Sequence, residues 1–126
     1  MDKENVVVAQ VLADLHRFRV ALGNSHVKTG EAWNSLGLIR MHMQQDAKEA
    51  KPCLEEALRI FQENNERTLI ATTLNDLGNC LERLNQHDKA FEAYKEAREI
   101  FETEKFAETH PRMLSTLRSL SRLCRE

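Results

Sequence analysis

The sequence predicts an all-α protein made of antiparallel helix pairs, and three observations support this fold class. Only four glycines and two prolines interrupt the 126 residues, so few positions break a helix. Strong helix formers (Ala, Leu, Glu, Lys and Arg) dominate the composition, whereas Val and Ile are too sparse for a sheet. One pattern also recurs along the chain with a period of about 42 residues, which is typical of stacked helix pairs.

Two kinds of segment make up the repeat. The first kind, 33-WNSLGLIR-40 and 74-LNDLGNCL-81, shares a large residue, Asn, Leu and Gly at the same spacing. The second kind, 50-AKPCLEEALRIF-61 and 90-AFEAYKEAREIF-101, shares Ala, a large residue, Ala and Phe. A partial third copy of the first kind, 117-LRSLSRLC-124, has serine in place of the glycine. Such self-similarity predicts helix pairs that stack on their neighbours.

In chain order, the pattern predicts six helices, with boundaries at about 4–22, 27–43, 46–63, 67–84, 87–105 and 110–125. We expect them to form a single domain over residues 1–126. Its predicted parts are an N-terminal helix or degenerate half-repeat at 4–22, repeat 1 at 27–63, repeat 2 at 67–105, and a partial repeat or capping helix at 110–125.

Local signals support individual helices. The first helix matches the second-segment pattern only weakly, and the residues at its four positions are Val11, Leu15, Phe18 and Leu22. Asp46-x-x-Glu49 predicts a capping box for the third helix, and Pro52 inside that helix predicts a mild kink or a late start. Asp88 is the predicted cap of the fifth helix. The sixth helix has no second helix after it in the sequence, so we expect it to cap the stack.

Small residues at fixed steps predict where the helices of a pair touch. Gly78 and its equivalent Gly37 lie on the apolar stripe of the first helix of each pair, although glycine in a helix costs about 1 kcal/mol relative to alanine. Ala90 and Ala97 share one face of the following helix, with Tyr94 between them. A close helix–helix contact would offset the cost of the glycine, so we predict that Gly78 faces this second helix.

These residues resemble the tetratricopeptide repeat, whose pattern is large-x2-Leu-Gly-x2-large followed by Ala-x3-aromatic-x2-Ala. The resemblance covers residues 26–125 and is most specific over 67–101. The period exceeds the usual one of roughly 34 residues. Together with the pair His110 and Pro111 and the run 49-EAKPCLEEAL-58, the longer period is similar to that of kinesin light chain repeats. The resemblance implies a right-handed superhelix whose first helices line a concave groove for peptides or protein segments.

The resemblance also assigns one row of each first helix to this groove. The candidate groove residues are Asn34, Leu38 and Met41 in repeat 1, Asn75, Asn79 and Glu82 in repeat 2, and Arg118, Arg122 and Arg125 in the partial repeat. Their i, i+4, i+7 spacing places each trio on one face of its helix. Asparagine can bond a peptide backbone through both donors and an acceptor, and arginine suits carboxylates or phosphates. We therefore expect the partner to be a protein segment, and the arginines favour an acidic one.

The leading functional hypothesis is a non-catalytic adaptor that binds a protein or peptide segment. One alternative is a homo-oligomer that assembles through exposed ends of the repeat stack. A weaker alternative is an RNA-binding repeat, with phosphate contacts from Arg112, Arg118, Arg122 and Arg125. The formal net charge of −2 disfavours nucleic acid as a partner.

The sequence contains no pattern that predicts catalysis, a cofactor site or a metal site. It has neither HExxH nor CxxC, and it lacks a phosphate-binding loop and a GxSxG motif. No apolar run approaches the ~18 residues that a membrane span needs, and the first ten residues do not resemble a signal peptide. The three widely spaced cysteines are expected to be free thiols, so we predict a cytoplasmic protein without a membrane partner.

Overall fold

The computed structural model describes residues 3–106 and 109–124, which hold six α-helices and no strand. The helices are α1 (Lys3–Leu22), α2 (Val27–His42), α3 (Ala47–Glu63), α4 (Arg67–Arg83), α5 (His87–Thr103) and α6 (Pro111–Cys124). Every helix predicted from the repeat is present, and its ends lie within about two residues of the expected ones. The prediction of an all-α protein with six helices is therefore confirmed.

The chain divides after Asn65 into two compact units. In unit 1, α2 and α3 form a helix hairpin and α1 packs against α2. In unit 2, α4 and α5 form the equivalent hairpin and α6 packs against α5. Each unit therefore contains one full helix pair and one additional helix.

Gly78 in unit 2 makes the close contact that the sequence predicts. A Cβ atom built on Gly78 would lie 2.7 Å from the ring of Tyr94, closer than a real side chain could approach. Tyr94, Ala90 and Ala97 are fully buried, so the α5 face opposite the glycine is completely covered. The prediction that Gly78 faces the second helix of its pair is confirmed.

Unit 1 repeats this contact with a smaller partner and adds a second one. A Cβ on Gly37 would lie 2.8 Å from Leu54, which holds the position that Tyr94 holds in unit 2. A Cβ on Gly30 would lie 2.8 Å from the ring of Phe61. We did not predict the contact at Gly30, although the small residue at the equivalent position in α4 could have indicated it.

The N-termini of some helices are capped by side chains. The Asp46 carboxylate accepts a hydrogen bond from the backbone N–H of Glu49 at 3.1 Å, so Asp46 caps α3 as predicted. The N–H of Asp46 donates to the Arg40 carbonyl, so the return bond of a capping box is not formed. Pro52 lies inside α3, which begins at Ala47 without a late start. The predicted cap of α5 is wrong, because α5 begins at His87 and Asp88 lies in its first turn, where its carboxylate faces the positive end of the helix dipole.

Helices α2 and α6 are each preceded by a histidine whose imidazole nitrogen accepts a hydrogen bond from the first turn. The Nδ1 atom of His26 accepts a hydrogen bond from the Lys28 N–H at 3.0 Å, and that of His110 lies 3.3 Å from the Arg112 N–H. The ring of Phe106 stacks on Phe101, with 4.9 Å between ring centroids. The Phe106 ring also lies 4.5 Å from the His110 ring, so it contacts both the end of α5 and the residue before α6.

Candidate protein-binding site

Helices α4 and α6 of unit 2 bring together two of the predicted rows. The Asn75 side-chain oxygen on α4 accepts a hydrogen bond from the Thr116 hydroxyl on α6 at 2.9 Å. Two helical turns after Asn75, the Glu82 carboxylate forms an ion pair with Arg122 on α6 at 2.5 Å. The predicted row of α4 (Asn75, Asn79 and Glu82, called the α4 row) therefore lies beside that of α6, as a shared binding surface requires.

Tyr94 on α5 contacts two residues of the α4 row through its hydroxyl group. Its hydroxyl donates a hydrogen bond to Glu82 at 2.6 Å and lies 2.9 Å from the side-chain amide of Asn79. Desolvation raises the pKa of the Tyr94 phenol well above its usual range, and the hydrogen bond to the negative Glu82 raises it further. Ser119 and Arg122 oppose this rise without cancelling it. The phenol therefore stays protonated to a higher pH than a free tyrosine, and it donates its hydrogen bond to Glu82.

The exposure of the row decides what it can offer to a partner. Asn75, Asn79 and Glu82 are half-buried, and each uses part of its hydrogen-bonding capacity inside the unit. Each amide group still carries further donors and lone pairs. Arg118 and Arg122 are exposed, and only Arg122 has an ion-pair partner within residues 3–106 and 109–124. The surface therefore consists of two hydrogen-bonded asparagine amides and the Glu82 carboxylate, with two exposed arginines at its edge.

Arg125, which would continue the basic row, lies outside the described residues.

The equivalent row of unit 1 is largely apolar. Asn34 and Leu38 are half-buried. Met41 has no exposed surface, so its assignment to a binding groove is wrong. The reason is that Met41 lies one helical turn after Gly37 and so extends the face that packs against α3. Where unit 2 has Tyr94, unit 1 has Leu54, which offers no hydroxyl to this row.

Three residues of this arrangement were not predicted from the sequence: Tyr94 as a hydrogen-bond donor, Thr116 as the partner of Asn75, and Ser119 as a neighbour of Tyr94. A signal for Tyr94 was available. Between repeat 1 and repeat 2, three positions change from apolar to polar together: Leu38 to Asn79, Met41 to Glu82, and Leu54 to Tyr94. Such a joint change indicates that the three side chains are in contact.

Unit 1 also contains a cavity of about 480 Å³, formed by α1, α2 and α3. The residues that line it include Trp33, Leu36, Arg40 and Cys53. Burial raises the pKa of the Cys53 thiol, and the nearby Arg40 only partly opposes this. A raised pKa makes a thiol less reactive as a nucleophile than an unperturbed one.

Within the described residues, no group of three or more His, Cys, Asp and Glu side chains could hold a metal ion. No helix among them combines the length and the apolar character that a bilayer span requires.

The family model for the tetratricopeptide repeat matches residues 28–103 and, in a second register, residues 69–126. The two matches overlap by one helix pair, which is what a repeat with this period produces. No curated protein matches the chain.

Proposed function

Because the chain belongs to the tetratricopeptide repeat family, whose repeats generally mediate protein–protein interactions, we propose that it is a non-catalytic adaptor that binds a protein segment. The binding surface in this proposal is the α4–α6 surface, which consists of Asn75, Asn79, Glu82, Arg118 and Arg122. The observation that carries the proposal is the pair of contacts between α4 and α6, Asn75 with Thr116 and Glu82 with Arg122. They hold the polar atoms of two first helices side by side.

A peptide backbone suits this surface. The amide groups of Asn75 and Asn79 lie one helical turn apart and are each held by a hydroxyl group, Thr116 or Tyr94. Side chains that are already fixed lose little conformational entropy when a ligand binds. They can therefore bond the backbone of a bound segment with little selection for its sequence.

The charge of the surface favours an acidic segment. Glu82 neutralises one arginine, whereas Arg118 is exposed and unmatched within the described residues. A carboxylate of the partner can approach Arg118, and screening by salt would weaken that contact.

We extend the same proposal to the properties that the resemblance implied. They are a single domain over residues 1–126, repeats of the kinesin light chain type, and residence in the cytoplasm. The long period supports the repeat type, and the three thiols, none of which is in a disulfide, support a reducing compartment.

The test is binding of fluorescein-labelled acidic peptides, together with capture of partners from a native lysate. Wild-type protein should retain a peptide or partner that the Asn75→Ala/Asn79→Ala double variant loses, and Arg118→Glu should weaken acidic peptides most at low salt. Gln62→Ala, which removes an exposed amide side chain from α3 of unit 1, is the matched control. Unchanged binding by folded Asn75→Ala/Asn79→Ala protein would refute the assignment of this surface.

A second candidate, self-assembly, receives support from one observation only. Several large apolar side chains of unit 1 are exposed, namely Val6, Leu12, Val20, Leu22 and Met43. If they form an interface, the mass measured by light scattering will rise with protein concentration.

A further inference from the structure

Helix α6 has the sequence pattern of the first helix of a pair, and its buried face is the one that packs inside unit 2. The α6 side chains with the least exposure are Met113, Thr116, Ser119, Leu120 and Leu123. They account for the packing of α6 against α5 and for its hydrogen bond to α4. The first helix of a pair has a second buried face, with which it packs against the second helix of the same pair.

The other face of α6 is uncovered within the described residues. We name it the α6 stripe, and it consists of Leu114, Leu117, Ser121 and Cys124. Its equivalents in α4 are Ala71, Leu74, Gly78 and Leu81, all of which are buried. On α6 the two leucines are half-buried, and Ser121 and Cys124 are exposed. The face that α4 uses to pack against a second helix is therefore present on α6 without its partner.

The side chain of Ser121 limits the size of the residue that a docked helix can place opposite it. At the equivalent position, a Cβ on Gly78 would lie 2.7 Å from the Tyr94 ring. Ser121 carries a Cβ and a hydroxyl, so a tyrosine opposite it would overlap. A helix that docks at the usual distance must carry a small residue at that position.

Charge selects among the possible occupants. Between residues 111 and 124 the chain has three arginines and no carboxylate, and Arg118 borders the α6 stripe. A second copy of α6 on this stripe would bring like charges together, whereas a helix with acidic flanks would pair with them. The second helices of this chain, α3 and α5, already bury their own matching faces, so they are not available.

We propose that the α6 stripe is a docking surface for an amphipathic helix of a partner protein, with a small residue opposite Ser121 and acidic residues beside Arg118. This surface lies on a different face of α6 from the Thr116 side that touches α4. It goes beyond the proposed adaptor function, because it names a second surface and the chemistry of its partner.

The probes are two labelled peptides based on residues 86–104 of the chain. One has the native sequence, and the other carries Tyr94→Ala, so that a small residue faces Ser121. We expect the full chain to bind the Tyr94→Ala peptide at least about tenfold more tightly than the native peptide, as measured by fluorescence anisotropy. In the Ser121→Gly variant this preference should disappear. Equal binding of both peptides to wild-type protein, or no binding of the Tyr94→Ala peptide, would overturn the proposal.

Variants of the stripe and its margin complete the test. Cys124→Glu replaces an exposed side chain, so it should fold normally and lose the Tyr94→Ala peptide, and Leu117→Glu should do the same. Arg118→Glu should weaken binding severalfold at low salt. Ser115→Glu, on the exposed side of α6 away from the stripe, is the control and should leave binding unchanged.

The three cysteines supply a second readout that needs no label on the protein. Cys124 is exposed, whereas Cys53 and Cys80 are buried, so alkylation by a maleimide should modify Cys124 first. The bound Tyr94→Ala peptide should slow that reaction. Unchanged alkylation of Cys124 in the presence of bound peptide would place the peptide elsewhere and contradict the proposal.

Two further outcomes separate this proposal from the others. If wild-type protein self-associates and Cys124→Glu abolishes it, a second copy occupies the stripe and the proposal is wrong. If the Asn75→Ala/Asn79→Ala variant keeps the peptide while losing partners of the α4–α6 surface, the α6 stripe binds the peptide without the two asparagines, as we expect.

Discussion

The contact between Gly78 and Tyr94 shows how one missing side chain shapes unit 2. Glycine lowers the intrinsic stability of α4, but it lets the buried ring of Tyr94 approach the α4 backbone. That approach carries the Tyr94 hydroxyl under the α4 row, where it bonds Glu82. The same contact therefore stabilises the hairpin and fixes a residue of the proposed binding surface.

Replacing Gly78 with Ala should destabilise the protein by about 1–2 kcal/mol, although alanine favours a helix. The reason is that the new Cβ would lie 2.7 Å from a ring that is fully buried, so the ring or the helix must shift. Urea denaturation measures the difference. The penalty should shrink in a Tyr94→Ala background, and an equal penalty there would show that the ring is not its cause.

Tyr94 should also make stability depend on pH at the alkaline end. Its pKa is raised in the folded state, whereas the unfolded value is about 10. The folded protein therefore holds this proton more tightly, so the stabilisation is fully present below about pH 10 and is lost as the pH rises further. The thermal midpoint should fall more steeply above this pH in wild type than in Tyr94→Phe.

Because Tyr94 is the single tyrosine of the chain, its ionisation can be followed by ultraviolet absorption without interference from another phenol. Half-ionisation near pH 10 in the folded protein would contradict the burial of this hydroxyl. Half-ionisation that moves to about pH 10 only on unfolding would support it.

At the scale of the helices, the two units use the same devices to end each helix. Besides Gly23 after α1, four non-glycine residues just beyond helix ends have positive φ angles: Gln45, Asn65, Asn85 and Lys105, at 51°, 56°, 61° and 63°. After α4, the N–H of Gln86 donates to the Leu81 carbonyl at 2.9 Å, which closes the last turn. Asparagine tolerates this conformation well, but lysine does not.

Lys105→Gly should therefore stabilise the protein by up to about 1 kcal/mol, because glycine adopts a positive φ without steric cost. Asn85→Gly is the matched control and should gain less. Thermal unfolding of both variants is the measurement, and a loss of stability in Lys105→Gly would mean that its side chain has contacts worth more than the backbone strain.

The two acidic residues at helix starts should differ in value. Asp46→Ala removes a carboxylate that accepts a backbone hydrogen bond and should cost about 1 kcal/mol of unfolding free energy. Asp88→Ala removes a first-turn charge that makes no cap, so it should cost about half as much or less. Equal losses in urea denaturation would show that the hydrogen bond of Asp46 contributes nothing beyond its charge.

At the scale of the whole molecule, the balance of charge bears on the class of partner. The net charge is −2, although α6 carries three arginines without a carboxylate between residues 111 and 124. Local basic patches of this size suit a carboxylate-bearing protein segment, whereas nucleic acid binding usually rests on a broader basic surface.

Labelled single-stranded RNA should therefore not shift in a native gel at low salt, where electrostatic attraction is strongest. An acidic peptide under the same conditions should bind, and its affinity should fall as salt is added. A shift of the RNA that Arg118→Glu and Arg122→Glu abolish would replace the protein partner with RNA.

The sequence by itself determined the six helices, their pairing and the small residues at their contacts. These features depend on local periodicity and on the spacing of residues such as Gly78 and Ala97, which a repeated pattern displays directly. The tertiary structure alone decided that Met41 is buried, that Asn75 bonds Thr116, and that Ser121 and Cys124 are exposed. Periodicity gives the face of a helix on which a residue lies, whereas the side chain that meets it depends on the distance and rotation between helices, which no single helix encodes.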